Sequence, residues 1–205
     1  MSLATWLGFL LAAVMIAVTP GPGAVLSMST GGRHGYWAAF TAILGLQVAI
    51  LVHLLIVAVG FGALLAASET AFFSVKLMGA AYLVWLGIAK WRAPLSPVDE
   101  NLVSLPRGGF FLQGLLVNLI NPKAIIFIGA LVPQFINPEQ PVLAQYLIVA
   151  ATLSSIDVIT MSIYALAAVR MGQWMHNPKA IQLQNRTFGG LFFSAGVLLA
   201  GSARP

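Results

Sequence analysis

The sequence predicts an all-α integral membrane protein: six transmembrane helices in a 3+3 inverted-topology repeat, with helices 1 and 4 broken. Three observations carry this expectation. Of 205 residues, 60% are hydrophobic and 7% charged, with a mean hydropathy of +0.94. A soluble domain carries about 25% charged residues, so this chain could not cover itself in water. Its apolar runs fall into six segments, and about 20 residues suffice to cross a hydrocarbon core. Two of those runs, about half a chain apart, are interrupted at Thr19-Pro20-Gly21-Pro22-Gly23 and at Asn118-Leu119-Ile120-Asn121-Pro122-Lys123.

The first span is expected over residues 3–28. No charged side chain occurs from Met1 to Gly32. As one helix this stretch would be ~48 Å long, more than the hydrocarbon core, so a break or strong tilt at 19–23 is expected. The second span is expected over 37–65 and the third over 71–90. The fourth, 110–132, carries the second interruption. The fifth runs over 142–169 and the sixth over 187–203. Residues 91–109 hold Pro94, Pro97 and Pro106 and read as the connection between halves. The predicted units are a three-helix repeat over 1–93, a cytoplasmic linker over 94–108 and a second three-helix repeat over 109–205.

Charge in the connections alternates. Arg33 follows span one; Lys90, Arg92 and Arg107 follow span three; Arg170, Lys179 and Arg186 follow span five. The connections after spans two and four hold Glu69 and Glu139. By the positive-inside rule the basic set is cytoplasmic, which places both termini outside. Trp37, Trp91 and Trp174 then sit at cytoplasmic ends and Trp6 near the outer end, as interfacial tryptophans do. Three spans starting outside and three starting inside make an inverted repeat. A shift of 102 residues carries Pro20 onto Pro122.

Composition also excludes function classes. The net charge of +5 could suggest nucleic acid, but the ten basic residues form no cluster. Zero cysteines rule out disulfides, thiolate metal sites and cysteine nucleophiles. The three histidines, His34, His53 and His176, are scattered and no His-Glu-x-x-His occurs, so neither an enzyme nor a metal or cofactor site is expected. The first span lacks a preceding basic stretch and reads as a retained helix rather than a cleaved leader.

Proline removes a backbone donor and glycine permits non-helical dihedrals. In lipid each freed backbone group needs a partner, so such breaks face protein or a water-filled cavity. A matched pair of them points to a transporter substrate site. The site residues expected there are Pro20, Gly21, Pro22 and Gly23 at the first break, and Asn118, Asn121, Pro122 and Lys123 at the second. Backbone N–H groups over 23–25 would suit a carboxylate at a half-helix start. Gln47 either lines a pathway or bridges helices. Asp157 is the one acidic residue deep within a span, a functional position by default, with a structural ion pair as the alternative. His53 lies mid-span; it either meets Asp157 or bonds a backbone carbonyl. Lys123 opens a half-helix, where the dipole disfavours a cation. It either pairs with Asp157 or a substrate carboxylate, or snorkels to an interface.

These segments resemble the lysine-exporter superfamily of amino-acid efflux proteins, in particular its homoserine/threonine-resistance branch. The resemblance is carried in order by Thr19-Pro20-Gly21-Pro22-Gly23, Gly45-Leu46-Gln47, Gly79-Ala80-Ala81-Tyr82-Leu83-Val84-Trp85-Leu86-Gly87, Asn118-Leu119-Ile120-Asn121-Pro122-Lys123 and Pro133-Gln134-Phe135-Ile136. His53 and Asp157 match positions of the homoserine branch. Many relatives place Asp after Pro-Gly-Pro where this chain has Gly23, which removes a cation ligand and weakens the case for a lysine-like substrate. The resemblance implies an inner-membrane exporter driven by the proton gradient, with homoserine, homoserine lactone and threonine as substrates.

The expected function is therefore proton-coupled export of small neutral amino acids. Asp157 and His53 would handle the proton, and residues at the two breaks, with Gln47, would bind substrate. A gradient-independent facilitator or channel, a non-transporting scaffold, and an exporter of other specificity are the alternatives. The expected partners are substrate, protons and the lipid bilayer. Glycine-rich lipid-facing surfaces permit a homodimer without requiring one.

Overall fold

The computed structural model describes residues 1–67 and 109–171, with isolated positions between 77 and 92 and between 182 and 197. Most of the expected third and sixth spans, and the 94–108 linker, lie outside the described residues. Every regular element among the described residues is helical.

Helix α1 spans Leu3–Val18 and is capped by the Ser2 hydroxyl, which accepts from the Thr5 N–H at 3.1 Å. It stops because Thr19 precedes a proline and is pushed out of the helical region, to φ −73° and ψ 120°. Helix α2 follows at Pro22–His34, with Pro22 in the first turn, where its missing N–H costs nothing. It ends at Gly35, whose φ of +82° suits glycine. Helix α3 is Tyr36–Ala67, 32 residues and ~48 Å long.

The second half repeats the pattern. Helix α4 is Gly109–Leu119 and helix α5 is Pro122–Ile126. Asn121 before Pro122 is again extended, at ψ 109°. Helix α5 continues through a π turn at Phe127–Leu131 and a 3-10 turn at Val132–Phe135. Helix α6 is Val142–Met171. The bend between α1 and α2 is 52°, and that between α4 and the Pro122–Phe135 segment is 54°.

By length and apolarity, α3 and α6 cross a membrane, and each bent pair supplies one further crossing if it is one span. One boundary differs clearly from expectation. The first span does not end near Met28 but runs to His34, because Arg33 and His34 sit favourably in the last turn of α2 and Gly35 stops it. The prolines that open the second half-helices are Pro22 and Pro122, 100 residues apart.

Contacts fix the chain directions. Trp6 reaches Thr152 and Tyr164 reaches Val18, so the first span runs parallel to α6. Tyr36 bonds Ser162 and Gln47 bonds Asp157, so α3 runs antiparallel to α6. Helix α4 lies parallel to α3, with Gly114 against Ala42 and Asn118 against Leu46. Helices α1 and α6 therefore run one way, and α3 and α4 the other.

The α3–α4 approach is close enough to need glycine on both sides. A Cβ on Gly45 would collide with the Phe111 carbonyl, and one on Gly114 with the Ala42 carbonyl. Two apolar clusters fill the remaining interior. One joins Phe9, Ile16, Ile50, Phe127 and Leu153; the other joins Ala24, Leu26, Ile43, Leu46 and Met161.

Because backbone rather than a flexible side chain meets the added methyl, Gly114→Ala should separate α3 from α4 at a cost of about 1–3 kcal/mol. Gly129→Ala, where nothing lies within 4 Å of the added atom, should be neutral. Thermal denaturation in detergent checks both; a Gly114→Ala midpoint equal to that of the Gly129 variant would contradict the close packing.

Candidate functional site

The two breaks meet. A Cβ on Gly21 would lie 3.3 Å from Lys123 Cδ, so the lysine stem lies across the first break. Its ammonium donates to the Thr19 carbonyl. This resolves the unfavourable placement of a cation at the start of α5: the charge is delivered to the C-terminal end of α1, where the dipole favours it.

Other freed carbonyls are also met. The Tyr164 hydroxyl donates to the Val18 carbonyl at 2.6 Å. His53 Nε2 bonds the Leu119 carbonyl at 3.2 Å. A carbonyl accepts only, so Nε2 carries the hydrogen. Nδ1 is then a buried acceptor with no partner among the described residues. Asn118 Nδ2 donates to the Leu46 carbonyl at 2.9 Å, Asn121 Nδ2 donates to Asn118 Oδ1 at 3.2 Å, and Asn121 Oδ1 accepts from the Lys123 N–H at 3.1 Å.

Between the two apolar clusters lies a cavity of about 60 Å³, several times what one ordered water needs. Gly21, Gly23 and Ala24 from the first break line it, as do Asn118, Asn121, Lys123 and Ala124 from the second. Asp157 of α6 completes its polar side; Ile16, Ile50, Phe127, Leu153 and Met161 form an apolar wall. Lys123 and Asp157 thus line the same space. At the start of α2 the N-cap Gly21 offers no side chain. The Val25 N–H is already closed onto the Gly21 carbonyl at 3.0 Å, so of the N–H groups expected over 23–25, those of Gly23 and Ala24 face this end.

Gln47 is placed differently from a wall residue. It is buried, and its Nε2 donates to Asp157 Oδ2 at 2.6 Å. Asp157 therefore bonds Gln47, and His53 takes the backbone-carbonyl alternative. Helical geometry explains the difference: six residues turn the helix by 600°, so Gln47 faces α6 while His53 faces α4. Pro20 and Pro22 shape the first break and Pro122 the second. Among the described residues no group of His, Asp and Glu could hold a metal ion.

Tyr164 and Met161 were not among the expected site residues. Their signal is in the sequence: Leu153, Asp157, Met161 and Tyr164 recur at helical spacing, which puts them on one face of α6.

Residues 14–202 match the LysE type translocator family. The chain belongs to that family. It is 43% identical over 199 residues to a homoserine/homoserine lactone efflux protein of Salmonella typhimurium, covering 96% of each chain. It is also 41% identical to an uncharacterized membrane protein of Vibrio cholerae, covering 98% of each. A leucine efflux protein of Klebsiella pneumoniae is 29% identical across 92% of this chain and 90% of its own. No solved structure matches. This translocator is thus similar across nearly its whole length to proteins named for amino-acid efflux and to one named as a membrane protein.

The absence of native cysteine makes the cavity directly testable. A single cysteine replacing the cavity-lining Ala124 should react with a small water-soluble thiol reagent. One replacing the fully buried Val149 should react at least about tenfold more slowly, as expected for a core position. Equal labelling rates would contradict the cavity.

Proposed function

We propose that this translocator exports small neutral amino acids across the inner membrane in exchange for protons. Homoserine, homoserine lactone and threonine are its substrates. The observation that carries the proposal is the cavity itself, which brings both helix breaks, one cation and one carboxyl into contact with the same space. The relatives named for homoserine and leucine efflux support an amino-acid cargo.

The chemistry suits a zwitterion. Gly23 and Ala24 N–H groups and the Lys123 ammonium receive the carboxylate, or the ester carbonyl of a lactone. Asp157 and the side-chain oxygens of Asn118 and Asn121 receive the ammonium. The apolar wall takes the carbon skeleton. No carboxylate stands at position 23, so a second substrate cation would find no partner at that position. Proton exchange falls to Asp157, an ionisable group held within a span. His53, with a buried unpartnered Nδ1, is a second proton-handling group. Six helices in a 3+3 inverted repeat, with both termini periplasmic, would let the halves rock about the two breaks.

In proteoliposomes, labelled homoserine and threonine should move saturably and faster under an imposed pH gradient. Asp157→Asn should cut the gradient-driven component by at least about tenfold while the protein still inserts. Full gradient-driven flux by that variant would remove Asp157 as the coupling group. Flux indifferent to the gradient in the unsubstituted protein would identify a facilitator instead.

A further inference from the structure

The amide of Gln47 makes one hydrogen bond and leaves one polar atom unmet. Its Nε2 donates to Asp157 Oδ2 at 2.6 Å, while its Oε1 is buried with no partner among the described residues. A carboxylate can only accept, so it requires the N–H end of an amide. A protonated carboxyl has an O–H to donate, and a carbonyl oxygen is its natural acceptor. Gln47 carries both ends on one planar group. Turning that group by half a revolution about its last side-chain bond exchanges them without moving the backbone. The arrangement present suits the charged carboxylate and leaves the amide oxygen unmet; the reversed one suits the protonated acid.

We propose that Gln47 is a positioning residue that reads the protonation state of Asp157 and passes it to the second break. The route is short. Gln47 is adjacent on α3 to Leu46, whose carbonyl accepts from Asn118. Asn118 in turn holds Asn121, the cap of α5. A proton arriving on α6 thus alters the one side-chain hydrogen bond that ties Asp157 to α3. That tie sits one residue from the anchor of the broken helix. The charged groups facing Asp157 are few. Lys123 of α5 shares its cavity, whereas α1, α2 and α3 contribute no titratable side chain to the lining, and His53 of α3 is turned to Leu119.

This role rests on the reading of Asp157 as the proton carrier, and two variants separate them. Gln47→Met preserves the volume and removes both polar ends. Gln47→Glu keeps an acceptor and, when protonated, a donor. In proteoliposomes, Gln47→Met should lose at least about tenfold of the acceleration given by a pH gradient, the size expected for one hydrogen bond to a charged group. The loss should depend on pH rather than be uniform across the profile, because the missing amide distinguishes the two protonation states of Asp157. Gln47→Glu should retain gradient acceleration with a displaced pH profile. The infrared carbonyl band of protonated Asp157, identified by its loss in Asp157→Asn, should shift in Gln47→Met. Unchanged acceleration and an unchanged band in Gln47→Met would overturn the role of Gln47 alone. Gradient-independent flux in the unsubstituted protein would overturn the proton-coupled reading and this role with it.

Discussion

A backbone carbonyl that loses its helical donor inside a bilayer has no water to turn to. The structure around the two breaks follows from that constraint. Val18, Thr19 and Leu119 end their helices with carbonyls met by Tyr164, Lys123 and His53 respectively. Each donor comes from a different element, so closing the breaks also fixes how α3, α5 and α6 stand against α1 and α4. Two of these three donors, Lys123 and His53, are residues that the sequence marks as candidates for chemistry, so they also hold the structure together.

That double duty shapes the cavity. Lys123 is drawn toward the first break by the C-terminal dipole of α1, its stem crosses Gly21, and it lines the same cavity as Asp157. A bulkier residue at 21 would press on that stem. The glycine pair Gly45 and Gly114 acts at a distance to the same end: by letting α3 and α4 touch, it brings the Leu46 carbonyl within reach of Asn118. Packing that is purely apolar in character therefore sets the position of a polar network.

Much of this was legible from residue order. Proline at 20, 22 and 122 announces the breaks because its chemistry is local and cannot be overruled by packing. Lone charges announce Asp157 and Lys123 because charge in an apolar span is rare. Partner choice was not legible. Whether His53 meets Asp157 or a carbonyl depends on the rotation of α3, and that rotation is set by the glycine contact with α4. Which of Pro20 and Pro22 opens the half-helix was equally illegible, because both are compatible with a break there. The donor Tyr164 was missed because a tyrosine within an apolar run carries no mark of its own; its spacing from Asp157 had to be read together with the face it shares.

The two breaks are alike in backbone and unlike in chemistry. Both place an extended residue before a proline that opens a half-helix. At the second, Asn121 spends its side-chain oxygen on the Lys123 N–H, so that helix start is already capped. At the first, Gly21 has no side chain to spend, and Gly23 and Ala24 of the first turn of α2 line the cavity. A helix start without its own cap attracts an anion, whereas a capped one does not need one. The cavity is therefore electrically directional. Its electropositive end lies where α2 begins and Lys123 arrives, and its electronegative group is Asp157 on α6. A ligand with one charge of each sign would settle with its carboxylate on the first half and its ammonium toward the second. Such a ligand would hold the halves together when bound, and protonation of Asp157 would weaken that hold on its ammonium side.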